Sequence, residues 1–179
     1  AIVDLIRQNG INMLQLTPSR LQILLSSPGV KDALKIPDTI IIGGEALPLN
    51  LLNALRGVYA GKIFNIYGPT ETTVWSTVRD VTKDSFITIG KPILNTQIYI
   101  VDALNRLQPA GIFGELLIGG DGVARGYYKN EELTGEKFAS NPFNPGARVY
   151  RTGDLARFLP DGNIEFLGRI DAQVKIRGF

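Results

Sequence analysis

A strand-like run from Lys62 to Tyr67 leads into Gly68-Pro69-Thr70-Glu71-Thr72-Thr73, which presents an aromatic ring, hydroxyls and a carboxylate within a few residues. Such a set could serve a nucleotide: Tyr67 by stacking on a base, Thr70 by donating to a phosphate, Glu71 by offering hard oxygens to Mg²⁺. The same residues would also make a plain loop, with Tyr67 in the core, Thr70 as an N-cap and Glu71 in a first helical turn. A second strand-like run ends in Arg151-Thr152-Gly153-Asp154. A carboxylate there could accept from the vicinal hydroxyls of a ribose, or simply form a turn. Farther on, Gly168-Arg169-Ile170-Asp171 and Gln173-Val174-Lys175-Ile176-Arg177-Gly178 bring three cations close together. Arg169 could meet a phosphate or a ribose, or lie on a solvated strand face.

The residue types that are missing narrow the chemistry further. The 179 residues include no Cys and no His, so disulfides, thiolate nucleophiles, the usual zinc sites and His-based triads are excluded within this sequence. What remains is carboxylates, hydroxyls, Lys and Arg, acting by positioning and electrostatics around a cofactor or metal. Net charge is +2 without a basic cluster, which argues against a sequence-independent grip on nucleic acid. With 44% hydrophobic and 20% charged residues the chain can build a core, yet no apolar run is long enough to span a bilayer. No cleavable signal opens it, so the expectation is a soluble, cytoplasmic protein. The Met-less start and the stop just after a strand-like run read as an excised internal segment.

Elements that must position these residues can be read from periodicity. Residues 1–9 predict a helix with Ile2, Leu5 and Ile6 on one face, and Ile11 to Leu16 a strand. Pro18 opens a helix with Leu21, Leu24 and Leu25 inward. Thr39 to Gly43 predicts a buried strand, Pro48 to about Tyr59 a helix, and Lys62 to Tyr67 the next strand. This order implies a parallel α/β unit whose ligand edge lies beyond the strand ends, at Gly43-Gly44-Glu45 and Tyr67-Gly68-Pro69. From about residue 86 the pattern becomes β-rich: Gln97 to Val101, Gly114 to Ile118, Arg148 to Arg151, Asn163 to Leu167 and Gln173 to Ile176, with Pro160-Asp161-Gly162 as a hairpin turn. The expected division is 1–85 as the α/β portion, 86–170 as a β-rich, distorted barrel-like portion, and 171–179 as a hinge and the start of a further subdomain. Gly120, Gly122 and Gly126 imitate a dinucleotide loop, but the spacing is off by one and no helix pattern follows.

Six strings occur in order: Gly43-Gly44-Glu45-Ala46, Tyr67-Gly68-Pro69-Thr70-Glu71, Gly114-Glu115-Leu116 with Gly119-Gly120, Ala124-Arg125-Gly126-Tyr127, Tyr150-Arg151-Thr152-Gly153-Asp154, and Gly168 through Gly178. From about residue 40 to its end the chain therefore resembles the adenylation domains of nonribosomal peptide synthetases, within the adenylate-forming superfamily. Gln173 to Gly178 and Asn141-Pro142-Phe143 favour the peptide synthetase branch. The resemblance implies ATP-dependent formation of an aminoacyl-AMP, then capture as a thioester by the phosphopantetheine of a peptidyl carrier protein, with condensation domains as further partners. It implies that Tyr67 stacks on adenine with Asn65 and Gly44 near its edge, that Thr70 contacts the α-phosphate and that Glu71 binds Mg²⁺. By the same resemblance Asp154 holds the ribose, Arg169 approaches ribose and phosphate, and Asp171 is the hinge.

The resemblance also places Gln15, Ile41, Gly43, Ile66, Val74 and Trp75 around the amino-acid pocket. None of them is charged, and Trp75 with Ile66 and Gln15 would fill most of the volume, which favours glycine; Trp75 could instead simply pack in a core. The family's phosphate loop is expected upstream and its catalytic Lys downstream, so this segment alone is expected to show no ATP–pyrophosphate exchange. An acyl-CoA or aryl-acid ligase, or a non-catalytic nucleotide-binding remnant of the same fold, are the competing readings.

Overall fold

Runs of β-branched residues punctuated by helix caps build the first part of the chain. In the computed structural model, residues 2–170 are described. They divide into two compact units, residues 2–66 with Arg79–Ile87, and Tyr67–Val78 with residues 88–170. Asp171 and the Gln173 to Gly178 run lie outside the described residues.

In the first unit, β1 (Met13–Leu16), β2 (Thr39–Gly43) and β3 (Lys62–Tyr67) pair in parallel, with Leu14 opposite Ile40 and Ile40 opposite Ile63. Alternation sends Leu14, Leu16, Ile40, Ile42 and Ile63 to one face, where they are at most 7% exposed. Helices α1 (Ile2–Asn9), α2 (Pro18–Leu25), α3 (Val30–Ala33) and α4 (Leu49–Arg56) supply Ile6, Leu21, Leu24, Ala33, Leu52 and Leu55 to the same core. Thr17 caps α2 by accepting from the Arg20 backbone N–H, and Pro18 occupies the first turn. The face of α1 differs from the expected one: Val3 and Ile6 are buried, whereas Ile2 and Leu5 are 38% and 53% exposed. Spacings of three and four both fit an amphipathic helix, and the packing of α1 beside α3 selects Val3 with Ile6. Helix α4 stops at Arg56, short of Tyr59, with Gly57 as its C-cap. The end of β4 (Thr77–Asp80) leads into Val81, whose N–H donates to Ile63 O at 2.8 Å.

The second unit is antiparallel. Its main sheet runs β10-β9-β7-β6, with β8 beside β9, from β6 (Thr96–Val101), β7 (Gly114–Gly120), β8 (Phe138–Ser140), β9 (Arg148–Phe158) and β10 (Ile164–Arg169). The start of β4 pairs separately with β5 (Lys91–Pro92). The expected α/β unit followed by a β-rich, distorted barrel-like module is the observed fold class. Strand β9 runs well past Arg151, because Asp154 to Phe158 find partners on β10 and β7. The turn at Pro160-Asp161-Gly162 closes that hairpin, with Gly162 at φ 79° and the Asp161 carboxylate accepting from Asn163 N at 3.0 Å. A short helix, α5 (Glu131–Lys137), does follow Gly126, contrary to the helix-free expectation; Asn130 caps it on Leu133 N at 3.1 Å.

Candidate functional site

Tyr67 is the last residue of β3, and the chain then doubles back on itself within the second unit. Ser76 N donates to Tyr67 O at 2.8 Å, closing a loop around a single 3-10 turn, Thr70–Thr72, whose cap position is Pro69 and not Thr70. Gly68 is required here: a Cβ would come within 2.5 Å of Val74 O and 2.7 Å of Ser76 N. Thr73 and Val74 both sit at positive φ, 61° and 73°. β-Branched residues avoid that region at a cost of about 1–3 kcal/mol each, so surrounding bonds must hold them. Those bonds are Thr73 Oγ1 to Gly122 O at 2.7 Å and the buried contact of Thr72 Oγ1 with Ser76 Oγ at 2.7 Å.

Asp154 reaches the same region from β9 through a bulge. Opposite Glu115 to Leu117 of β7, β9 runs from Leu155 to Arg151, so Thr152, Gly153 and Asp154 lie in the irregularity, with Gly153 at φ 69°. Thr152 anchors it by donating its hydroxyl to Leu116 O at 2.6 Å and accepting from Asp154 N at 2.9 Å. Arg151 pairs with Glu115 on the neighbouring strand and donates to Asn105 Oδ1 at 2.7 Å. The Tyr67 hydroxyl donates to Asp154 Oδ2, and Arg169 Nη1 donates to Asp154 Oδ1 at 3.1 Å and to Thr152 O at 2.7 Å. The Asp154 side chain is only 5% exposed, so this pairing is what makes its charge tolerable. Burial first, and then the Asp154 charge, push the Tyr67 phenol well above its ordinary pKa, so it remains a donor. The Tyr67 ring lies 5.8 Å from that of Phe166.

Glu71 forms a second cluster. Its Oε1 accepts from the Tyr127 hydroxyl at 2.6 Å, and its backbone O accepts from Ala124 N at 2.8 Å. The Tyr127 and Tyr150 hydroxyls are 3.4 Å apart, and the Phe138 ring packs 5.4 Å from Tyr127 and 5.1 Å from Tyr150. Burial raises both phenols above their ordinary range; a hydrogen bond to Glu71 adds for Tyr127, and one with Tyr127 adds for Tyr150. Among the described residues no three His, Cys, Asp or Glu side chains gather as a metal cage. A lone, half-exposed carboxylate suits Mg²⁺, which binds through one or two carboxylates together with substrate phosphates and water.

The model of the AMP-binding enzyme family matches residues 1–128. The chain belongs to this family. Tyrocidine synthase 3 of Brevibacillus parabrevis is 49% identical over 97% of the chain, which spans 3% of that protein's length. Among solved structures, an artificially fused adenylation–PCP di-domain, NpsA-ThdA of Klebsiella oxytoca, matches with a TM-score of 0.88 at 28% identity, covering 99% of this chain and 34% of that one. AB3403, a four-domain nonribosomal peptide synthetase bound to AMP and glycine, matches at 43% identity with a TM-score of 0.83, covering 99% of this chain and 13% of that one. The chain thus spans a small part of each relative and corresponds to part of an adenylation domain.

In this member of the AMP-binding family, Tyr67, Asp154 and Arg169 converge, and Glu71 lies four residues beyond Tyr67. Thr70 is exposed at the head of the 3-10 turn. Within the first unit, Gln15 and Ile41 are register partners, as are Gly43 and Ile66, and all four share the sheet face opposite the Ile40–Ile63 core. Asn65 lies on the core side opposite Ile42, 4% exposed, and Gly44 follows β2 at φ 85°. In the second unit Val74 is 46% exposed and Trp75 half-buried. Sequence reading gave no role to Tyr127, Tyr150, Thr152 or Phe166. The first three stand inside strings that were already conspicuous, where polar aromatics and a hydroxyl beside strand ends were the available signal.

Proposed function

We propose that the chain forms part of an ATP-dependent amino-acid-activating domain of a peptide synthetase, with glycine as substrate. The observation that carries this reading is the convergence of Tyr67, Asp154 and Arg169. In the proposed reaction the glycine carboxylate attacks the α-phosphorus of ATP and pyrophosphate leaves. A carrier-protein phosphopantetheine thiol then attacks the acyl carbon and AMP departs. Asp154 accepts from the ribose hydroxyls, the Tyr67 ring flanks the adenine, and Asn65 and Gly44 lie near the base edge. Thr70 donates to the α-phosphate, and Arg169 meets negative charge on that side of the ribose. Mg²⁺, when bound, neutralises the triphosphate charge, and Glu71 is the residue that would hold it. Peptidyl carrier and condensation domains are the proposed partners, in keeping with the di-domain and four-domain relatives.

Glycine is favoured by the uncharged character of Gln15, Ile41, Gly43, Ile66, Val74 and Trp75, the set that the family resemblance assigns to the pocket, and by the glycine-bound relative. ATP–pyrophosphate exchange by the full-length protein, across the proteinogenic amino acids, is expected to peak with glycine. Trp75→Gly is expected to raise exchange with alanine and larger substrates. An unchanged substrate ranking in that variant would remove Trp75 from the pocket.

A further inference from the structure

The Tyr127 hydroxyl commits one oxygen of Glu71, at 2.6 Å, while the Ala124 N–H holds the Glu71 backbone at 2.8 Å. Tyr127 is itself fixed at both ends. Its backbone N–H donates to Thr134 Oγ1 at 2.9 Å, Thr134 Oγ1 donates to Asn130 O at 2.7 Å, and its ring stands edge-on to Phe138. Behind it, Tyr150 projects from β9, held between Ile118 of β7 and Phe138 of β8 in register, with its hydroxyl 3.4 Å from that of Tyr127. A phenol held at its backbone by α5 and backed by a tyrosine on β9 is a stiff support for a carboxylate. We propose that Tyr127, backed by Tyr150, is a positioning residue that fixes Glu71 to offer a single oxygen to its cation, and so favours Mg²⁺ over Ca²⁺.

The reasoning is coordination chemistry. Mg²⁺ demands near-ideal octahedral geometry at short distances, which two oxygens of one carboxylate strain, whereas Ca²⁺ readily takes both in a loose, larger shell. A hydrogen bond that occupies Oε1 therefore penalises the larger ion. Outer partners of metal-holding groups typically carry about 10–100-fold in metal affinity. This inference rests on the proposed role of Glu71 as the metal-holding residue, and its test separates the two.

The test is Mn²⁺ binding to the full-length protein with α,β-methylene-ATP, followed by electron paramagnetic resonance and competed with Mg²⁺ or Ca²⁺. In Tyr127→Phe the Mg²⁺ competition constant is expected to weaken and that of Ca²⁺ to hold or tighten, so that their ratio shifts about tenfold toward Ca²⁺. ATP–pyrophosphate exchange in the variant should recover as Mg²⁺ is raised, a rescue that general loosening of the fold would not give. Tyr150→Phe should shift the ratio in the same direction by less, and it carries the test if Tyr127→Phe fails to fold. Equal weakening of both cations, or no change in their ratio, overturns the positioning role. Glu71→Gln is the control: if it leaves Mn²⁺ binding intact, the metal-holding reading fails, and this inference with it.

Discussion

The two units of this chain bury different things. The first packs Leu, Ile, Val and Ala from four helices against three parallel strands, and Asn65 is the sole buried polar residue found there among the described residues. The second buries Thr72, Ser76, Thr77, Thr88, Asn141, Thr152, Asp154 and Asn163. Buried polar groups are costly unless paired, so a unit holding this many depends on its hydrogen bonds being made. Apolar burial is non-directional and tolerates repacking, which suits a scaffold. Hydrogen bonds are directional, which suits a site whose donors and acceptors must be aimed. The residues that converge around Asp154 and Glu71 all lie in the polar unit.

The contrast can be broken by substitutions in each unit. The largest effect is expected from Asp154→Ala, which removes the carboxylate that accepts from Tyr67 and Arg169; exchange activity of the full-length protein should fall about 10²–10³-fold. Next, Leu52→Ala opens a cavity in the apolar core and should cost about 2–5 kcal/mol in chemical denaturation while leaving nucleotide affinity of the folded protein unchanged. A nucleotide-affinity loss in Leu52→Ala as large as that in Asp154→Ala would erase the distinction. Tyr67→Phe removes one charge-assisted hydrogen bond and should weaken nucleotide binding about tenfold in titration calorimetry. The smallest effect is expected from Thr17→Ala, which removes the α2 cap and should cost about 1 kcal/mol of stability without touching binding.

Tyr67 also gives the contrast a pH signature. Its folded pKa is raised well above 10.0 by burial and by the neighbouring Asp154 charge. The neutral phenol is thus favoured in the folded state, so its contribution to stability is fully present below pH 10 and is lost as pH rises toward the folded value. The fall in stability above pH 10, followed by chemical denaturation, should be shallower in Tyr67→Phe than in the unaltered protein.

Much of the scaffold was legible because its signals are local. The Ile40–Ile42 run bounded by Gly43 and the Pro18 start after Thr17 each predict their element from a few neighbouring residues. The β module was less legible where a strand's length depends on distant partners. Arg148–Arg151 reads as complete until Ile164–Arg169 pairs with its continuation, and the bulge that turns Asp154 inward exists only between strands. The same holds for the site. Tyr67, Glu71 and Asp154 stand out as candidates through the motif resemblance, whereas the Tyr127–Glu71 bond spans 56 residues and leaves no periodic trace.

Calorimetric titration of AMP and of 2′,3′-dideoxy-AMP into the full-length protein and its Asp154→Ala variant isolates the ribose contact from folding and from the metal. The unaltered protein is expected to prefer AMP by about tenfold or more, since hydrogen bonds to a charged group contribute about 1.5–3 kcal/mol, and the variant is expected to bind both alike. An equal preference for AMP in both proteins would contradict the assignment of Asp154 to the sugar.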